Sequence, residues 1–417
     1  MIKITKKSSV ILLVLICGFV YFTAYFTRKS LAITSANIIE TTNLTKNDLG
    51  LAFTGLFISY GVMQIFSGII SDKTNPKYLI FIALLVSSFL NLGIYFTTNT
   101  YIIFALWILN GVAQAFIWPP MVRFVAYYLE DNNYNSGIGV VTSSGYLGQC
   151  ILCVISALFC KYVGYKYLFI FSFAFGVFVS VLWLFYTLKF EYELPLKRDK
   201  NNEEKLVVNT ENLAKPHLFF SIIFIFMLIS VVMQGALRDG IESWTPTYIS
   251  TSFSLDSSTA IMASMILPLL SFLAVQTMTI LYKTKVKHPL KLAIITLFMT
   301  LGFLVLLSIF NKFNNAIIVI ILLSLAYGSI AGTNHVFSSF MPLYFKDTGK
   351  ISTVAGVLNA TVYGGSALSG YGFALITTKY GWDIGIYIWI ACAIIGVSCI
   401  FLIYKKWSET YLLKVSK

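Results

Sequence analysis

The sequence predicts an all-α membrane protein with twelve spanning helices arranged as two six-helix bundles. Three observations predict it. First, 58% of the residues are apolar and only 11% are charged, whereas soluble globular chains carry about 25% charged residues. Second, the chain holds twelve runs that are mostly apolar and long enough to cross a hydrocarbon core, which takes about 20 residues. Third, one long polar gap rich in Lys, Asn and Glu, from Glu191 to Lys215, divides those runs into two sets of six. The expected organisation is a first bundle at 1–190, a cytoplasmic linker at 191–216 and a second bundle at 217–417.

In chain order the runs fall near 9–34, 47–71, 77–97, 101–128, 136–160, 166–189, 217–248, 257–282, 289–311, 315–341, 351–378 and 382–404. The first follows a basic stretch, Lys3 to Lys7, as a secretory leader would. It is too long for a leader core, and no small-residue cleavage site precedes Arg28, so it reads as a retained helix. The fourth contains Trp118-Pro119-Pro120. Proline has no N–H for the helical ladder, so a bend is expected there. Cys17, Cys150, Cys153, Cys160, Cys392 and Cys399 all lie inside apolar runs without the flanks of a metal or redox motif, and read as small packing residues.

The net charge of +13 is not gathered into a nucleic-acid-binding face. If successive gaps are assigned to alternate sides, about 22 of the 30 basic residues fall on the side of the termini and central gap. The opposite side holds about five: Lys46, Lys161, Lys166, Lys312 and Lys379. The excess of Lys and Arg marks the cytoplasmic side. The expectation is a multi-pass protein of the inner (plasma) membrane with both termini cytoplasmic. The cluster Lys283/Lys285/Lys287/Lys291 then lies beside anionic lipid.

The two halves read as repeats. GVVTSSGYLG from Gly139 and GVLNATVYGG from Gly356 share Gly, Val, Tyr and the last Gly at the same spacing. KYVGYKY from Lys161 and KYGWDIG from Lys379 each open the next run, and Arg28 and Arg238 each lie about 20 residues into the first run of their half. Repeated six-helix units with a site at their interface are the mark of a secondary transporter.

Charges deep in the spans point to that site, because they are costly in lipid and rarely face it. VYFTAYFTRKS carries Arg28 and Lys29, with Tyr21 and Tyr25 seven and three residues before the arginine, on its face of the helix. ALRDGIESWTPTYI carries Arg238, Asp239 and Glu242. Glu242, four residues on, shares the face of Arg238, whereas Asp239 does not, so Glu242 is the expected partner within the helix. Two guanidiniums, each a rigid fork of donors, suit the oxygens of one phosphoryl dianion. Lys29 either snorkels or adds to the field. Tyr60 and Gln64, four apart, and the repeat-related Tyr146 and Tyr363 are cavity candidates, with packing as the alternative. His335 is either a ligand contact or a hydrogen-bonded structural histidine.

GIISDKTNPK, Gly68 to Lys77, resembles the loop motif of the major facilitator superfamily, with Gly68 allowing close helix approach and Asp72, Lys73 and Lys77 as gating charges. Within that superfamily the chain resembles the organophosphate:phosphate antiporters through YFTAYFTRKS, LGLAFTGLFISYGVMQIFSGIISDKTNPK, NGVAQAFIWPPMVRF and LRDGIESWTPTY. The resemblance implies the major facilitator fold, a phosphate held by Arg28 and Arg238 with Tyr21 and Tyr25, and exchange with inorganic phosphate by alternating access. The chain departs from the pattern at Gln64, where the glycerol-phosphate carrier has lysine. It departs again at Gly145, in place of histidine, and at Ala367 and Tyr371, in place of a charged pair. Asp239 and Glu242 are additions to it.

The expected function is therefore exchange of an organic phosphate ester for inorganic phosphate by a monomer, with no cofactor, metal or nucleic acid. The rivals are a proton-coupled symporter of another organic anion and a sugar-phosphate membrane sensor. No nucleophile–base set, phosphate loop or metal cluster points to an enzyme.

Overall fold

A computed structural model describes residues 7–189, 222–286, 288–313, 315–342 and 351–408. The expected linker at 191–216 lies outside these residues, as do the first residues of the seventh expected run. The described residues are helical throughout. The first half comprises α1 (Lys7–Ile33), α2 (Ser35–Thr41), α3 (Lys46–Lys73), α4 (Pro76–Tyr95), α5 (Thr100–Ala115), α6 (Trp118–Tyr128), α7 (Asp131–Tyr162) and α8 (Tyr165–Leu188). The second comprises α9 (Ile222–Phe253), α10 (Ser257–Ala263), α11 (Ile266–Thr284), α12 (Pro289–Phe310), α13 (Ala316–His335), α14 (Ile351–Tyr380) and α15 (Trp382–Trp407).

Among the described residues, 11 helical segments are long and apolar enough to cross a membrane. The remaining expected span, the eleventh in the chain, is α14, rich in glycine, serine and tyrosine. It is less apolar because it faces protein, packing along α3 on one side and α9 on the other. The fourth span is broken as expected, with α6 opening at Trp118 and Pro in its first turn, where the missing N–H costs nothing. The eighth is also broken, between Ala263 and Ile266. A π-helical turn, Val336–Phe340, ends the tenth.

Packing follows the repeat. In the first half α1 lies on α7 and α8, α3 on α5, and α4 on α8. In the second half α9 lies on α14 and α15, α11 on α13, and α12 on α15. The crossing of α1 with α7 is set by Gly148, where a Cβ would stand 2.7 Å from the Phe22 carbonyl oxygen. Its counterpart Gly365 closes on the Val232 carbonyl of α9. Arg28 and Arg238 each follow that contact residue by six positions, so the repeat places both at one level.

The halves meet along α3–α14, α7–α10 and α7–α11. At the end where α1 finishes, hydrogen bonds tie them together. Ser35 and Thr247 hydroxyls lie 2.9 Å apart, Asn37 Nδ2 donates to Ser257 at 2.7 Å, and Thr54 donates to the Ala367 carbonyl at 2.8 Å.

Candidate functional site

Arg28 is held in place by the polar interior of the first bundle. The carbonyl of Thr27 accepts from Asn91 Nδ2 at 2.7 Å and from Asn110 Nδ2 at 2.9 Å, and Gln114 Nε2 donates to the Thr27 hydroxyl at 2.8 Å. Ser30 donates to Asn91 at 2.9 Å. These buried amides from α4 and α5 fix the turn of α1 that carries Arg28 and point it away from lipid.

The guanidinium of Arg28 sits 4.5 Å from the Tyr25 ring centre and 5.3 Å from that of Tyr60. The residue is 8% exposed, and its Nε is buried with no partner. Among the described residues it makes no ion pair and no hydrogen bond. Cation–π contact with two phenols keeps it charged without using its five N–H donors.

Arg238 enters from α9, with its guanidinium 5.7 Å from the Tyr363 ring centre. Tyr363 packs at a tilt against Tyr60, ring centres 4.4 Å apart, and feels the field of both arginines. The two guanidiniums therefore converge on one tyrosine pair, one from each half. Tyr21 meets Tyr25 edge to face at 5.4 Å and packs at a tilt on Trp118, at the α5–α6 break, at 4.8 Å. Tyr146 lies within electrostatic reach of Tyr25, Arg238, Asp239 and Glu242. Gln64 Nε2 donates to the Tyr60 hydroxyl at 3.0 Å and its Oε1 accepts from Asn359 of α14, which closes the floor between the halves.

The carboxylates are placed differently from the expectation. Arg238 pairs with its neighbour Asp239, through Nε at 3.3 Å and Nη2 at 2.7 Å. The expected partner, Glu242, instead crosses the interface: Lys29 Nζ lies 2.7 Å from its Oε1. Adjacent residues on a helix diverge at Cβ, but the long guanidinium folds back and reaches Asp239 with both nitrogens. Lys29 also lies 3.6 Å from Asp239. It does not snorkel, since both carboxylates hold it inside. Glu242 further accepts from Gln149 at 2.8 Å and from the Tyr327 hydroxyl at 2.7 Å, and Asp239 accepts from Ser366.

Three expectations are corrected or left outside. His335 stands apart from this cluster, bonded to Thr279 at 3.0 Å and Ser339 at 3.2 Å and packed on Phe340 at 5.0 Å, so it takes the structural role. Gly68 does not permit a close helix approach here, for a Cβ at that position would meet no atom within 4 Å. Asp72 and Lys73 lie in the last turn of α3, and their side chains are outside the described residues. Lys77 is buried at the start of α4, where its carbonyl accepts from Trp183 at 2.9 Å.

Sequence reasoning missed Gln149, Tyr327, Ser366 and Asn359. Gln149 and Tyr327 are polar residues in apolar runs, and Asn359 and Ser366 lie in the Gly-, Ser- and Tyr-rich stretch of α14. A surface cavity of about 820 Å³ near Asn37, Tyr101 and Lys166 shares no residue with the charged cluster.

A family model described as Major Facilitator Superfamily matches residues 17–370. The chain belongs to that superfamily. A probable hexose phosphate transport protein of Chlamydia trachomatis is 29% identical over 151 residues, 36% of this chain and 32% of the relative. The membrane sensor protein UhpC of Salmonella typhimurium is 26% identical over 261 residues, 60% of this chain and 58% of the sensor. The glycerol-3-phosphate transporter of Bacillus subtilis is 22% identical over 243 residues, 54% of each chain. The chain thus spans between a third and three fifths of the length of these relatives. The fold matches that of a bacterial homologue of the human lysosomal transporter Spinster in an inward-facing, unoccupied conformation. The TM-score is 0.75 at 13% identity, covering 98% of each chain. The chain is a multi-pass helical protein of that superfamily, distantly similar to hexose phosphate and glycerol-3-phosphate transport proteins.

Proposed function

We propose that the protein exchanges an organic phosphate ester for inorganic phosphate across the inner membrane by alternating access. The observation that carries this reading is Arg28, buried between two phenols with its donors unmatched. A buried guanidinium without hydrogen-bond partners is costly, and a guest that supplies oxygens relieves the cost. Phosphoryl oxygens fit the fork in a bidentate manner. Arg238, on the facing half, is the second donor. It reaches the guest while one of its edges stays on Asp239.

Lys29 of the first half grips Glu242 of the second. An anion arriving between Arg28 and Arg238 competes for Lys29 and draws groups of both halves onto itself. Tyr21, Tyr146 and Tyr327 offer rings and hydroxyls to a hydroxylated carbon skeleton.

The test is counterflow in proteoliposomes. Labelled phosphate should enter vesicles preloaded with phosphate, and unlabelled phosphate esters outside should compete. Binding of an ester without any exchange would instead favour a sensor. The carboxylates at the centre favour one second reading, proton-coupled uptake of another organic anion. Accumulation driven by an imposed pH gradient, with no phosphate inside, would select it.

A further inference from the structure

We infer that the Thr54 hydroxyl is a releasable rung of α14, a latch that joins the two halves at the end where α1 finishes and lets go when they part there. The inference stands on the fold and does not depend on the phosphate reading. In an α-helix each amide bonds the carbonyl four residues before it, so the Tyr371 amide belongs to the Ala367 carbonyl. Thr54 of α3 comes between them. The Tyr371 amide donates to the Thr54 hydroxyl at 2.8 Å, and that hydroxyl donates to the Ala367 carbonyl at 2.8 Å. A side chain of the first half thus stands in one rung of a helix of the second. Insertion of a side chain into the ladder is one of the few causes of a helix hinge.

Glycine makes the insertion possible. A Cβ at Gly370 would stand 2.8 Å from the Thr54 amide nitrogen and 2.9 Å from the Gly50 carbonyl oxygen. A Cβ at Gly50 would stand 2.9 Å from the Gly370 carbonyl oxygen and from the Ala374 Cβ. With side chains at either position α3 could not come near enough for Thr54 to reach the α14 backbone. The neighbouring bonds of Ser35 with Thr247 and of Asn37 with Ser257 run between side chains and leave both backbones untouched.

Each half holds a replacement partner for the moment of release. As the helices part, the Tyr371 amide closes on the Ala367 carbonyl and restores the rung. Thr54 turns to the Gly50 carbonyl one turn back, a bond that threonine readily makes inside a helix. Thr74 and Thr361 make that bond here with Ile70 and Val357. Two hydrogen bonds are exchanged for two, so neither arrangement strands a polar group, and α14 has two discrete states rather than a continuous bend. The same stretch of α14 carries Tyr363, against Arg238, and Ser366, bonded to Asp239, so the hinge borders the charged cluster.

The test is disulfide cross-linking of the purified full chain across this end. The Thr378 hydroxyl donates to Asn47 at 3.4 Å between the same two helices. Asn47→Cys combined with Thr378→Cys, oxidised with copper phenanthroline, reads how often the two ends meet, and each single replacement supplies the baseline from the native cysteines. Adding Thr54→Val keeps the shape of the side chain and removes both bonds, so cross-linking should slow at least threefold. Gly370→Ala, which forces the helices apart at the rung, should slow it as much. Thr54→Ser keeps the hydroxyl and should leave the rate near its starting value. A thermal melt of each variant shows that it is folded. An unslowed rate in folded Thr54→Val overturns the inference, as does an unslowed rate in folded Gly370→Ala. Equal slowing in Thr54→Ser also overturns it, because the effect would then belong to the methyl group. Phosphate takes no part in the measurement, so these outcomes leave the phosphate reading where it stands.

Discussion

Lys29 and Glu242 lie 2.7 Å apart across the interface of the two bundles, one on α1 and the other on α9. Removing one partner of a buried ion pair leaves the other charge uncompensated, at a cost of about 3–5 kcal/mol. Lys29→Met should therefore lower the thermal stability of the detergent-purified protein sharply. Adding Glu242→Gln should restore much of it. A double-mutant cycle by thermal unfolding reads the coupling. Additive losses would mean that the contact carries no energy.

Gly145 makes room for the tyrosines beneath Arg28. A Cβ there would stand 2.9 Å from Tyr25 Cδ2 and 3.0 Å from Tyr21 Cε1, so even alanine must push the rings aside. Overpacking of this kind costs about 1–3 kcal/mol. Gly145→Ala should weaken phosphate binding about tenfold or more, with the protein still folded, as titration calorimetry beside a thermal melt would show. An unchanged affinity would mean that the ring positions are irrelevant to the site.

Asp256 caps α10, the helix whose Ser257 receives the Asn37 bond between the halves. Its carboxylate accepts from the Thr259 amide at 2.9 Å and from the Thr259 hydroxyl at 2.6 Å. These bonds hold the carboxyl below its usual range. A depressed folded value means that the stabilisation is present above the unfolded value, about 3.9, and is lost as the pH falls through the folded one. Asp256→Ala should cost about 1 kcal/mol near neutrality. The gap in melting temperature between wild type and variant should begin to narrow below about pH 4. A gap that does not narrow as the pH falls from neutrality into the acid range below about 4 would contradict the cap as its source.

The spans, the broken fourth helix and the paired arginines were legible because each rests on local pattern: run length, a proline pair, and a repeat that puts Arg28 and Arg238 at matching positions. The ion pairs were not. Helical spacing assigns Glu242 to Arg238, but the choice belongs to Lys29, 213 positions away in the chain and adjacent only after the halves dock. Spacing alone also could not tell that the small residue at Gly145 is filled by rings from another helix, or that Gly68 faces open space. Gln149 and Tyr327 carried one weak signal, a polar side chain inside an apolar run. Their target could not be read without the fold.

The central claim is that the guanidinium fork of Arg28, and not merely its charge, holds the phosphoryl group. The most direct measurement is phosphate affinity in Arg28→Lys, which keeps the charge and loses the planar fork. Loss of a charge-assisted bidentate contact is worth roughly 1.5–3 kcal/mol, so affinity should fall about 10- to 100-fold while the melting temperature without phosphate changes little. Near wild-type phosphate affinity in a folded Arg28→Lys protein would contradict the account.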